Sequence, residues 1–442
     1  MSLQKRYQLT ITNGLIRAHL DADHELVRLS EKIDWESITE RLGRYYSDVG
    51  RGGKPIRLMV GLHILKHLYN LSDEAVVARL NGDLYFWVLC GLDDVVGKRE
   101  KPLDASSLTN FRKRIGVEGM GLIQEVILGQ LISEKRINKR TQIVDSTVME
   151  KNIQYPTDVR LLNKGRELLV RSLKRLKKSG ARITTGRTFS RSARRLVILN
   201  GKFRNVDGKT RLDKTKRSLI KYGEEVLQNA KRAIKKLSRH RKKTILREKE
   251  RLEQLMELFK RVIDQTKRGL KGQKTRGRVY SLSEPHVIAI GKGKLRARFE
   301  YGSLSTLSVD NNGFIVSHQQ YDHNIADVST LEPAVRAWEA ATGVKPKELA
   351  GDRGYSTRKH PEYIQEIDHL GIPSLGARKG LNEDKAWFKR LRRRRVSAEA
   401  IISHLKNDHR FNRSRYKGFK GDQINAGWAT LSWNCRKWVQ AK

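Results

Sequence analysis

The sequence predicts an α/β protein whose mixed sheet is interrupted after its first strand and preceded by an all-helical region. Three observations carry that expectation. Apolar residues recur at helical spacing in the first part of the chain, and strand-like runs alternate with helical patterns in the last. Between the two, the composition turns abruptly basic: residues 160–277 hold 39 Lys/Arg against 10 Asp/Glu. The expected divisions are a helical region at 1–135, a sheet-bearing domain at 136–159 and 278–442, and a basic helical insertion at 160–277.

Each element has a local reason. From Pro55 to Tyr69 the Leu58, Leu62, Leu65 and Leu68 positions share one helical face, and Pro55 suits a first turn. Ser72 before Asp73 and Glu74 reads as a helix start, Asn81-Gly82 as its stop, and Leu84–Leu89 as a third short helix. Three short helices with tight turns suit a helix-turn-helix-like module and a plain helical bundle equally. Ser106–Ile115 is a further helix ending at Gly116, whose Arg112, Lys113 and Arg114 suit phosphate contacts better than base reading. Thr141–Met149 is a buried strand with Asp145 in its middle. The second half of the basic segment has the spacing of an antiparallel helical hairpin, a solvated arm that is at the same time a good phosphate clamp.

Strand signals return at His286–Ile290, Leu295–Val309 and Phe314–Tyr321, with Asn311-Asn312-Gly313 as a turn. A helix capped by Asp327 runs to Thr342, and the short strand Glu348–Gly351 delivers Asp352 at its end. A helix near Pro361–Leu370, a strand at Ile372–Ala377 and a long Arg/Glu-rich helix complete the order.

A formal net charge of +43 on 442 residues exceeds what solubility needs and favours a polyanionic partner, nucleic acid before anionic membrane. Two cysteines, Cys90 and Cys435, rule out a disulfide framework, argue against a cysteine zinc site and suit a reducing cytoplasm. The first residues lack a signal-peptide layout, and no apolar run approaches the length of a membrane span, so neither export nor a membrane is expected.

The chemistry concentrates on three acids. An unpaired carboxylate at Asp145, in an apolar strand, would cost several kcal/mol, so it lies at an exposed end, is ion-paired or binds a cation. Asp352 follows a strand and precedes Gly354, which is also ordinary turn chemistry. Glu399 shares a helix with Arg395 and Lys406, all within roughly 40° around the axis, and pairing with Arg395 is its simplest reading. Taken together, two strand-end carboxylates and one from a packed helix make an oxygen-only site suited to two Mg²⁺ ions bridged by a phosphodiester.

The chain resembles bacterial insertion-sequence DDE transposases of the insertion-sequence-five family. The resemblance runs through KPIRLMVGLHILKHLYNLSDEAVV, SLTNFRKRIG, IVDSTVMEKNIQYPTD, YSLSEPHVIAIGKGK, GDRGY, and RRRRVSAEAIISHLKNDHR to NAGWATLSWNCRKW. The family signature Tyr-x2-Arg-x3-Glu-x6-Lys is matched by Arg395, Glu399 and Lys406, with Arg392 in place of the Tyr. The resemblance implies a ribonuclease H-like fold on which Asp145, Asp352 and Glu399 hold two Mg²⁺ ions, Mn²⁺ being able to substitute. It implies that Arg395 and Lys406 contact DNA phosphates; Arg353, beside Asp352, is a further candidate DNA contact. It further implies that the N-terminal helices recognise terminal inverted repeats, and that a homodimer joins freed 3′-hydroxyls to double-stranded target DNA in the bacterial cytoplasm. A nuclease of the same fold that never joins, and a non-catalytic DNA-binding descendant, are the competing readings.

Glu150, Asp158, Asp310 and Asp322 read as turn or surface acids, with Asp158 near enough in sequence to supplement the site. His404 and His409 suit phosphate contact or capping, and Trp428, Trp433 and Trp438 suit core packing, with base stacking the minor reading.

Overall fold

The computed structural model describes residues 20–47, 52–92, 103–202, 208–237, 240, 242–291, 299–376, 380 and 382–440. Its elements in chain order are α1 (Glu25–Lys32), α2 (Trp35–Gly43), α3 (Ile56–Leu68), α4 (Asp73–Leu80), α5 (Leu84–Cys90), α6 (Ala105–Ser133) and β1 (Thr141–Lys151). There follow α7 (Asp158–Lys178), α8 (Ser190–Lys202), α9 (Gly208–Lys236) and α10 (Lys243–Leu270). The remainder is β2 (Ile288–Gly291), β3 (Phe299–Asp310), β4 (Ile315–Tyr321), α11 (Asp327–Thr342), β5 (Glu348–Ala350), α12 (Glu362–Gln365), β6 (His369–Gly371), α13 (Ala386–Asp408), β7 (Arg413–Ser414) and α14 (Gly418–Gln440).

The chain forms two compact units, Met1–Lys151 with Ser303–Lys442, and Asn152–Gly302. In the first, β1 lies between β3 and β5 and also pairs with β7; β4 flanks β3 and β6 flanks β5. The β3–β4 pair is antiparallel, while β1–β5 and β5–β6 are parallel. Alternation along β1 separates two cores. Ile143 and Met149 pack with Leu391, Ala398, Ile401 and Leu405 of α13, whereas Val144 packs with Leu331, Ala334 and Val335 of α11.

The N-terminal helices form no separate core. Ser72 caps α4 by accepting from the Ala75 N–H at 3.1 Å, and Gly91 closes α5 at φ 67°. Helix α3 is buried on every side, within a cluster that also takes Trp428, Leu431, Cys435 and Trp438 from α14. Residue 135 is therefore not a boundary of compactness, since the N-terminal helices share their core with α14. Gly116, at φ 63°, breaks the helical geometry as expected, but a second helical stretch resumes and the whole runs to Ser133. This α6 is long and apolar enough, by composition, to cross a membrane; in the structure its Leu108, Phe111, Ile123 and Leu131 belong to that core.

Three elements depart from expectation: the cap of α11, the helix expected at 361–370, and the strand expected at Ile372–Ala377, whose described residues 372–376 form no strand. Asp327 opens α11 in its first turn, while Ala326 holds the cap position without a side-chain bond. The helix expected at 361–370 shrinks to Glu362–Gln365, because His369–Gly371 extends to pair with Glu348–Ala350. Pro373 has no N–H with which to carry a ladder onward. A side chain on Gly371 would meet Leu391 at 2.8 Å, so α13 approaches β6 only because that residue is glycine.

In the second unit, α7, α9 and α10 enclose their own core of Leu162, Leu169, Leu173, Val226, Ala230, Leu252 and Phe259. A methyl at Gly165 would collide with the Phe259 ring, which Gly223 also accommodates. The basic segment is thus a folded helical unit rather than a bare arm, and it starts earlier and ends later than its charge suggests.

Candidate active site

Register alone brings two of the acids level. Parallel pairing matches Thr141 with Glu348 and Ile143 with Ala350. Asp145 and Asp352 each lie two residues beyond the last matched pair, at the same end of adjacent strands. Asp145 shares the α13-facing side of β1 with Ile143. Asp352 caps a 3₁₀ turn at Arg353–Tyr355, accepting from the Gly354 N–H at 2.8 Å. A Cβ on Gly354 would lie 2.7 Å from Asp327 Oδ2 and 3.0 Å from Asp352 Oδ1, so glycine lets both carboxylates close on that turn.

Helix α13 supplies the rest. Phe388, Leu391, Ala398 and Leu405 are buried, and Arg395 falls within that stripe. Its guanidinium therefore meets Asp145, with Nη1 3.7 Å from Oδ2, and donates through Nη2 to Glu399 Oε1 at 2.5 Å. Glu399, one turn on, has a side chain 55% exposed against 13% for Asp145. Burial pushes the Asp145 carboxyl up to about 6; Arg395 pulls it down, Asp352 and Glu399 push it up, and the Ser146 N–H favours its charged form. Asp145, Asp352, Glu399 and Arg395 thus form one electrostatic group.

Among the described residues no three His, Cys, Asp or Glu side chains converge closely enough to hold a metal ion. Arg395 stands between Asp145 and Glu399 and balances part of their charge. The donor set is nonetheless all oxygen, and one guanidinium pairs with two carboxylates while a third, Asp352, adds its charge to the burial that makes Asp145 hard to ionise. Those residues fit a hard divalent cation.

Behind the acids lies a hydrogen-bonded connection that sequence reading missed. The Ser146 N–H donates to Asp145 Oδ1 at 2.8 Å, and Ser146 Oγ lies 2.7 Å from the Tyr355 hydroxyl and 3.2 Å from Thr306 Oγ1. Tyr355 is fully buried, three residues after Asp352. The only signal in the sequence was proximity: each partner adjoins an acid-bearing segment.

The other expected residues divide. Arg353 is exposed beside Asp352, and Lys406 is half-buried two turns beyond Glu399. Lys113 and Arg114 are exposed on α6, Arg114 lying 4.6 Å over the Tyr46 ring. Arg112 does not fit a phosphate contact: it is buried and bonded to both oxygens of Asp73 at 3.0 and 2.7 Å. Asp158 is taken by Lys216 and Arg278 in the second unit. Glu150 pairs with Arg413, and Asp322 with His323. Asp310 is a buried turn acid accepting from the N–H groups of Asn138 and Phe314. His404 bonds Asp408 at 2.8 Å, and burial holds His409 down at about 4. Trp428 and Trp438 are core residues, and Trp433 donates to the Gly313 carbonyl.

Residues 15–114 match the family described as a transposase domain (DUF772), and residues 261–435 match the transposase DDE domain. A protein of Rhizobium meliloti, "Uncharacterized protein ORF8 in nfe locus", is 38% identical over 198 residues, covering 42% of this chain and 90% of its own length. The chain belongs to the insertion-sequence DDE transposases. Two of this transposase's three candidate acids, Asp352 and Glu399, lie inside the DDE-domain match while Asp145 precedes it, and Arg112, Lys113 and Arg114 lie inside the other. No solved structure matches the chain.

Proposed function

We propose that this transposase binds the terminal inverted repeats of its element, cleaves there to free 3′-hydroxyls and joins them to target DNA at Asp145, Asp352 and Glu399. The in-register placement of Asp145 and Asp352, with Arg395 reaching from α13 to both Asp145 and Glu399, carries the reading. A central acid-bearing strand, β1, flanked by β3 and by the parallel β5 in a sheet that also holds the antiparallel β3–β4 pair, supports a ribonuclease H-like assignment. The three carboxylates would hold Mg²⁺ ions, two per site and replaceable by Mn²⁺, supplying activation of the attacking oxygen and charge neutralisation at the leaving one.

The chain's own residues do the positioning. Arg395 keeps Asp145 and Glu399 together before DNA arrives, and with Lys406 and Arg353 it then offers charge to backbone phosphates. Lys113 and Arg114 on α6 serve the same purpose for the bundle that recognises the repeats. A homodimer brings two ends together. The test is purified protein with labelled element ends, Mg²⁺ and a target plasmid. Joined product is the expected result; cleavage without joining would leave a nuclease, and binding alone a non-catalytic DNA-binding protein.

Tyr355→Phe probes the connection behind the acids. Losing one buried hydroxyl bond costs about 1 kcal/mol of stability. Because Ser146 then loses its anchor beside Asp145, Mn²⁺ affinity read by electron paramagnetic resonance should fall roughly 10-fold, as outer-shell changes at metal sites do. Unchanged Mn²⁺ affinity would reduce Tyr355 to a core residue.

A further inference from the structure

Between Glu167 and Asp207 the chain carries twelve Lys/Arg and no Asp or Glu. In the structure its described residues, 168–202, are the second half of α7, a loop, and α8. Arg171, Lys174, Arg175, Lys177, Lys178, Arg182, Arg187, Arg191, Arg194 and Arg195 are all exposed. Among the described residues only Arg175 of these reaches a carboxylate, Glu248 at 3.7 Å. The hairpin of α9 and α10 in the same unit is different, since acids are interspersed among its cations and several of those cations pair with them. Lys267 pairs with Glu224 at 2.6 Å, Arg251 with Glu248 at 2.6 Å and Lys260 with Glu257 at 3.0 Å.

The uncompensated charge is also held in place. Ala193 is buried and Leu196 and Val197 pack against the unit's core, which turns Arg191, Arg194 and Arg195 outward on one face of α8. The buried Arg166 of α7 donates to the Thr188 carbonyl at 2.8 Å and tethers the loop entering α8. Phe189 stacks on Tyr222 at 4.5 Å, and Arg187 lies 4.8 Å over the Phe189 ring. Five of the exposed cations from Arg182 onward are arginines, the side chain that grips phosphate with two donors at once. Like charges crowded on a fixed surface repel one another unless a polyanion covers them.

We infer that the surface formed by the second half of α7, the 180–189 loop and α8 is a binding site for the phosphate backbone of double-stranded DNA, read without regard to sequence. The inference rests on the proposed transposase activity for its purpose and places the grip on the acid-free surface of α7 and α8.

The test uses the full chain carrying R191A, R194A and R195A, with R251A, K260A and K267A on the hairpin as the comparison. Affinity for a duplex unrelated to the element is followed by fluorescence anisotropy across salt concentrations, and circular dichroism checks the fold. The α8 variant should lose about 10- to 100-fold in affinity, and its log–log salt slope should fall by about 2 to 3, near 0.9 per phosphate contact. The hairpin variant should change much less. Equal affinity and slope in wild type and α8 variant would overturn the inference, as would binding to anionic vesicles in preference to DNA. Loss of joining by the wild type, with the slope difference intact, would sink the transposase reading and leave this surface standing.

Discussion

Asp145→Asn is expected to abolish strand cleavage and joining, by more than about 100-fold, since even outer-shell changes at metal sites cost 10- to 100-fold. DNA affinity should stay within about twofold of the wild type, because the phosphate-facing charge lies elsewhere. The amide keeps the shape of the carboxylate, so geometry is preserved and only the charge is lost. Stability should not fall with activity. Burial and the neighbouring Asp352 and Glu399 already make the Asp145 charge costly, more than Arg395 offsets. In EDTA the variant should therefore melt at or above the wild-type temperature, the usual exchange of stability for function at such a site. Asp352→Asn and Glu399→Gln should behave alike in activity. Joined product from any one of the three, at a tenth of the wild-type rate or more, would mean that the site is wrongly placed.

The acids were legible because each sits on an element with its own local signal: Asp145 within an apolar run, Asp352 after a short strand, Glu399 on a periodic helix. Strand period and parallel register then bring Asp145 and Asp352 to one end of one sheet, and Arg395 links Glu399 of α13 to Asp145. What escaped were properties that depend on a partner far along the chain. Apolar residues at helical spacing in α3 and α14 show that each helix buries a face, but not that they bury it on each other. His369–Gly371 has a helical neighbourhood and becomes a strand because β5 offers an unpaired edge. The Tyr355 hydroxyl means nothing until Ser146, 209 residues earlier, lies opposite it. Arg112, Lys113 and Arg114 are consecutive cations on one helix, yet the first points inward and the others outward. Composition marks such a run as basic, and only packing separates structural charge from charge free to meet phosphate.

Asp73→Ala is the substitution expected to damage the fold most, by about 3 to 5 kcal/mol, the cost of leaving buried charge without its partner. Asp73 accepts from both Nη atoms of Arg112 and from Lys66 Nζ at 2.6 Å, and the Lys66 and Arg112 side chains are only 4% and 8% exposed. Lys66 also reaches the Tyr416 hydroxyl at 3.0 Å, and Arg112 lies 4.2 Å over the Tyr416 ring. One carboxylate thus joins α3, α4 and α6 to the segment preceding α14. Burial pushes the Asp73 carboxyl up, but the Arg112 bonds and the two cations outweigh it and hold it well below the usual range. A lowered carboxylate contributes stability that is whole above its unfolded value of about 3.9 and drains away as pH falls towards the folded one. Urea melts at pH 7 and pH 3 should therefore differ more for the wild type than for Asp73→Asn, which has no charge to lose. Arg112→Ala should likewise lower the urea midpoint and leave the salt slope of DNA binding unchanged, whereas Lys113→Ala should reduce the slope by about 1 without moving the midpoint. A loss of unfolding free energy below about 1 kcal/mol for Asp73→Ala, well under the cost of stranding a buried pair, would show that water reaches Lys66 and Arg112, and that this network is not what holds the helices together.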